Sequence, residues 1–76
     1  MEDQKIDQSR YFLRWTYLGF ETGSNIFSAS SALDGVIAEG MEILKAGGDG
    51  VYHYLNVYRD KKFIGRIGKE GYVSAE

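Results

Sequence analysis

From Val51 to Tyr58 the chain alternates between aliphatic and tyrosine positions: Val51-Tyr52-His53-Tyr54-Leu55-Asn56-Val57-Tyr58. Successive strand residues point to opposite faces, so Tyr52, Tyr54 and Tyr58 share one side while Val51, Leu55 and Val57 share the other. His53 falls with the aliphatics. A strand of this kind packs its aliphatic face on a core and leaves a tyrosine face to touch something else.

Upstream, residues 10 to 18 are rich in aromatic and β-favouring side chains, with Tyr11, Leu13, Trp15 and Tyr17 on one side. Phe12, Arg14, Thr16 and Leu18 take the other. Glu21 to Asn25 has turn chemistry, since Gly23 and Asn25 accept positive φ, and Ile26 to Ser28 is expected to pair back as a short second strand.

Between these strands, Leu33, Val36, Ile37, Gly40, Met41 and Leu44 follow the spacing of one buried helical stripe. Ser31, with Asp34 three residues on, suits an N-terminal cap. Lys45 in the last turn and Gly47-Gly48 supply a left-handed stop. Gly40 interrupts the stripe at a cost of about 1 kcal/mol relative to alanine, which close approach of helix and sheet would offset.

The last regular unit is a hairpin of residues 51–59 with 63–68 across Asp60-Lys61-Lys62. That turn lacks the favoured Asn-Gly or Asp-Gly, so its register is not set by the turn itself. A three-residue connection puts Phe63 and Ile67 beside Leu55 and Val57 and leaves Ile64 and Arg66 with the tyrosines; a two-residue connection swaps them. The first buries more apolar surface under the helix and is preferred. The expected fold is a small α+β domain: a three- to four-stranded, mainly antiparallel sheet with one amphipathic helix packed on one face, in the order β-(β)-α-β-β. Residues 1–9 are expected to form a flexible N-terminus, 10–68 the single domain, and 69–76 a frayed tail.

Length changes the picture in one respect. A 76-residue chain builds a core that rarely supplies more than about 3–5 kcal/mol, so such domains often add disulfides, a metal or oligomerisation. Cysteine is absent and His53 is the lone histidine, which removes disulfides and thiolate zinc sites. Oligomerisation stays open. No cofactor and no metal site is expected.

The formal charge of −2 argues mildly against nucleic acid. The charge is unevenly placed, however. Glu2, Asp3, Asp7, Asp34, Glu39 and Glu42 sit in the head and the helix, whereas Arg10, Arg14, Arg59, Lys61, Lys62, Arg66 and Lys69 lie on strands and turns. No apolar run approaches the ~20 residues that span a bilayer. The start, Met-Glu-Asp-Gln-Lys, lacks the basic and apolar stretches of a signal peptide. A cytoplasmic protein without a membrane partner is the expectation.

The sharpest candidate is the tyrosine face, with Tyr52, Tyr54 and Tyr58 joined by Arg14 and Arg66. Each buried aromatic removes about 150–250 Å² from water, so three supply much of the roughly 800 Å² per partner of a standard interface. Tyrosine also tolerates solvent and favours strands for its own sake. The same face suits single-stranded nucleic acid, because bases stack on aromatics while Arg and Lys follow phosphates. The signature motifs of sheet-faced RNA modules are absent.

Other chemistry is thin. His53 has no thiol to activate and no second histidine. Ser28, Ser30 and Ser31 fit helix capping. Glu39 and Glu42 lack further ligands for a cation. Gly47-Gly48-Asp49-Gly50 follows a helix and precedes a strand, the reverse of a phosphate loop. The expected function is therefore a non-enzymatic protein-interaction module that uses an aromatic open sheet face, as a homodimer or as an accessory or inhibitor-type binder of a larger protein. A small single-stranded nucleic-acid-binding domain is the alternative.

Overall fold

The computed structural model describes residues 10–75; the expected loose head, residues 1–9, lies outside them. Strands β1 (Tyr11–Tyr17) and β2 (Phe20–Phe27) are followed by helix α1 (Leu33–Gly47) and by β3 (His53–Arg59), β4 (Lys62–Gly68) and β5 (Gly71–Ser74). One antiparallel sheet runs in the order β2-β1-β3-β4-β5. The mixed α+β character with a single helix is as expected. The sheet is wider, with five strands.

Two corrections produce that width. The first turn falls at Leu18-Gly19, not at Glu21–Asn25, and Tyr17 pairs with Phe20. Both turn residues have positive φ, 52° and 86°, the backbone a two-residue hairpin needs to match strand twist. Residues 20–27 therefore form a full strand in place of a short one. At the other end, Gly71–Ser74 pairs with β4 as β5, where a frayed tail was expected. Tyr72 ties it down by donating its hydroxyl to the Ile64 carbonyl at 3.0 Å.

The helix lies across β1, β3 and β4. Leu13, Leu55, Val57, Ile64 and Ile67 meet Val36 and Leu44 in the core, and Tyr11 closes one end. Leu33, Met41 and Ile43 flank that contact, so the buried stripe centres on Val36-Gly40-Leu44; Ile37, expected within it, is only partly buried. Gly40 does make the close approach: a Cβ there would collide with Ile67 Cδ1. Ser31 does not cap the helix. Ala32 holds the cap position with extended backbone and no side-chain cap bond, while Ser30 Oγ accepts the Ala32 N–H at 3.1 Å. Nor does the helix end in a left-handed residue. Gly48 is extended, at φ −150°, with its N–H donated to the Leu44 carbonyl, and the positive φ comes at Gly50, 76°.

The β3–β4 hairpin combines the two registers considered. Arg59 pairs with Lys62 and Tyr58 with Phe63, a two-residue turn with Asp60 at φ 57°. A bulge then shifts the ladder so that Val57 faces Gly65, Asn56 faces Arg66 and Leu55 faces Ile67. One extra residue in a strand resets which side chains face in. Ile64 thereby enters the core, and Phe63, expected inside, sits on the open face, 42% exposed.

Candidate functional site: the open sheet face

Cross-strand partners share a face, so the registers define what the helix leaves uncovered. One row across the sheet reads Phe27, Phe12, Tyr58, Phe63; the next reads Asn25, Arg14, Asn56, Arg66, Val73. A third begins Glu21, Thr16, Tyr54. The aromatic row is continuous at both ends. Ring centroids lie 4.6 Å apart for Phe12–Phe27 and 5.7 Å apart for Tyr58–Phe63. Phe27, Phe63 and Val73 are large apolar side chains exposed on this face.

Four of the five expected site residues meet here, as two stacked pairs. The Arg14 guanidinium lies 5.2 Å from the Tyr58 ring centroid, and that of Arg66 lies 4.9 Å from Tyr54, both within the range of cation–π attraction. Asn56 stands between them. Tyr52 does not join: it precedes β3, and its carbonyl accepts the Leu18 N–H at 2.9 Å at the end of the sheet.

Glu21 organises the face. Its Oε1 accepts Arg14 Nη1 at 2.9 Å, and its Oε2 accepts Asn56 Nδ2 at 2.9 Å and the Tyr58 hydroxyl at 2.5 Å. Arg14 Nε donates in turn to Asn25 Oδ1. The Tyr58 hydroxyl above all, then Asn56 and Arg14, hold the Glu21 carboxyl at about 2, from an ordinary 4.5. The same bond pushes the Tyr58 hydroxyl up. The physical effect of the network is to lock five side chains from three strands in one arrangement. It also cancels charge, since the Arg14 cation is matched by a carboxylate ionised at every physiological pH.

Beside this network lies a groove of about 460 Å³ walled by Phe12, Arg14, Asn25, Tyr58, Asp60 and Lys61. A smaller one, about 320 Å³, lies along Tyr54, Arg66 and Val73.

Sequence reasoning missed Phe12, Phe27, Phe63, Glu21, Asn25 and Asn56 as parts of this face. For Phe12 and Asn56 the strand alternation carried the signal. For Glu21 and Asn25 it was hidden by the misplaced turn, and for Phe63 by the bulge.

The remaining candidates resolve into structural contacts. His53 lies on the helix side, stacked on Tyr17 at 4.6 Å. Asp49 Oδ1 accepts the backbone N–H groups of Val51, Tyr52 and His53, which lowers its pKa, the His53 bond most of all. The glycine-rich loop thus closes on itself. Glu39 accepts the Ser28 hydroxyl at 3.0 Å and ties the helix to the end of β2. Among the described residues no three His, Asp or Glu side chains gather as a metal set, and no helix is long and apolar enough to cross a membrane. Compared with known families, curated proteins and solved structures, the chain matches none.

Proposed function

We propose that the chain is a non-enzymatic protein-interaction module whose open sheet face takes up another, larger protein. The observation that carries this reading is the aromatic row beside a locked polar network. Rigid aromatic anchors lose little entropy on binding, and pre-arranged polar groups need no reordering. A cytoplasmic setting agrees with the composition.

Single-stranded nucleic acid is the second reading, favoured by the Arg66–Tyr54 stack. It is weakened by charge. Arg14 is neutralised by Glu21, and a fixed carboxylate near the middle of the face repels phosphate, whereas such affinity rests on many uncompensated cations. Two experiments separate the readings. Affinity capture from the source cells should recover a partner with the wild-type chain and lose it with Phe63→Ser, and the purified pair should bind with one-to-one stoichiometry. Fluorescence anisotropy with mixed oligonucleotides at low salt should show no binding. Salt-sensitive oligonucleotide binding abolished by Arg66→Gln would replace the protein reading with the nucleic-acid one.

A further inference from the structure

The two arginines stacked on the open face differ in one respect. Arg14 is matched by Glu21. Arg66 is exposed and rests on the Tyr54 ring, and its side chain has no acceptor among the described residues. Stacking fixes the plane of its guanidinium, so a rigid fork of donors stands ready and unused.

That fork lines the groove of about 320 Å³, together with Tyr54, Gly68, Lys69, Glu70 and Gly71. The space exists because glycine pairs with glycine, Gly68 with Gly71, where two side chains would otherwise stand. A Cβ on Gly68 would lie 3.9 Å from Tyr54 Cβ and only 2.9 Å from the Gly50 carbonyl oxygen, so this position faces the tyrosine side and stays bare. Lys69 is a second exposed cation, and Glu70 forms an ion pair with neither it nor Arg66 among the described residues. Two cations against one carboxylate leave the groove positive in a chain whose formal charge is −2.

We propose that this groove takes an aspartate or glutamate side chain of the partner protein, gripped by Arg66 and steered by Lys69, while the aromatic row takes apolar residues of the same segment. The inference rests on the open-face reading and adds the partner's chemistry to it. A guanidinium fork matches a planar carboxylate through two parallel bonds. The volume is at the low end for ligand sites, room for a side chain and not for a cofactor. A chain terminus is the poorer match, because its capture uses free backbone N–H groups. Those of Gly50 and Lys69 are already donated, to the His53 and Gly50 carbonyls at 2.9 Å. A nucleic-acid strand, charged at every phosphate, would meet Glu70 in the groove and Glu21 in the row of Tyr54. Spacing follows from the strand. Tyr58 in the aromatic row and Tyr54 at the groove are separated by about 13 Å of β3. An extended partner segment lying along β3 therefore carries its acid about four positions from an aromatic or aliphatic anchor.

Selection of a random-peptide library, displayed on phage, against the purified full chain tests this. Wild type should enrich peptides with Asp or Glu about four positions from an apolar anchor. For a synthetic peptide of the enriched sequence, replacing the acid by its amide should weaken binding about tenfold, and so should Arg66→Gln in the chain. Arg66→Glu should turn the selection toward Lys or Arg. The amide swap leaves the chain untouched, so it decides the matter even where Arg66→Gln lowers the melting temperature. Three outcomes overturn the proposal: no enriched sequence, an enriched sequence without an acid, or binding that neither the amide swap nor Arg66→Gln weakens. Peptides that survive Arg66→Gln but are lost with Phe63→Ser overturn the acid site alone and keep the open-face reading. Oligothymidylate binding that falls with salt and with Arg66→Gln would assign the groove to phosphate instead.

Discussion

Replacing Glu21 with glutamine probes the network that holds the open face in shape. The substitution keeps the shape and an amide oxygen as acceptor, but removes the charge that Arg14, Asn56 and Tyr58 all address. The magnitude follows from linkage. Glu21 falls from 4.5 when unfolded to about 2 when folded, and each pKa unit is worth about 1.4 kcal/mol, an upper bound of about 3 kcal/mol. The side chain is 26% exposed, and water screens part of that, so about 2 kcal/mol is expected. Because the folded pKa is the lower one, this stability is fully present above pH 4.5 and drains away as pH falls toward 2. Urea denaturation at pH 7, 5 and 3 measures it in both proteins. Glu21→Gln should be about 2 kcal/mol less stable at pH 7, and the gap should narrow steadily below pH 4.5. Other carboxylates titrate equally in both proteins and cancel in the difference. A gap that stays constant from pH 7 to 3 would mean that the carboxylate is not held by its three donors, and the rigid-face argument would fall with it.

Three further outcomes follow from the packing. Gly40→Ala gains about 1 kcal/mol of helix propensity but drives a methyl into Ile67, an overpacking cost of about 1–3 kcal/mol; the melting temperature should drop, and a rise would refute the close approach. Leu55→Ala, at a fully buried site, should cost about 2–5 kcal/mol by chemical denaturation, with Ile37→Ala clearly milder; equal losses would return Ile37 to the core. Tyr54→Ala removes the ring beneath Arg66 and should weaken partner binding by about 2 kcal/mol with a smaller loss in the thermal melt; the reverse order would make the tyrosine structural.

The helix was legible because its spacing is long and redundant: Val36, Gly40 and Leu44 fall on one line whichever flanking residues are counted. The β3 alternation was equally plain and put Tyr54 and Tyr58 on one side, with Arg14 following from the alternation of β1; Arg66 was expected there through a three-residue turn, whereas it reaches the face because the bulge offsets a two-residue one. What stayed hidden lay in turns and bulges. Leu18-Gly19 is a poor turn sequence by composition, so the turn is expected too far along, at Glu21–Asn25, and this hides Glu21, the acceptor on which the face depends. The bulge between Val57 and Tyr58 turns Ile64 inward and Phe63 outward, a choice no two-fold alternation records. The last strand is four residues long, too short for periodicity to separate it from a tail. Tyr52 obeys the alternation, yet its strand begins one residue later, because Asp49 gathers the N–H groups of Val51, Tyr52 and His53 into a loop.

The most direct test of the open face as a protein interface is site-specific photocrosslinking in the source cells, with a benzophenone amino acid placed at Phe63 or, on the exposed side of the helix, at Ala38. The account predicts one discrete protein adduct from position 63 and none from position 38. Adducts from position 38 alone, or none from position 63 in a folded chain, would contradict it.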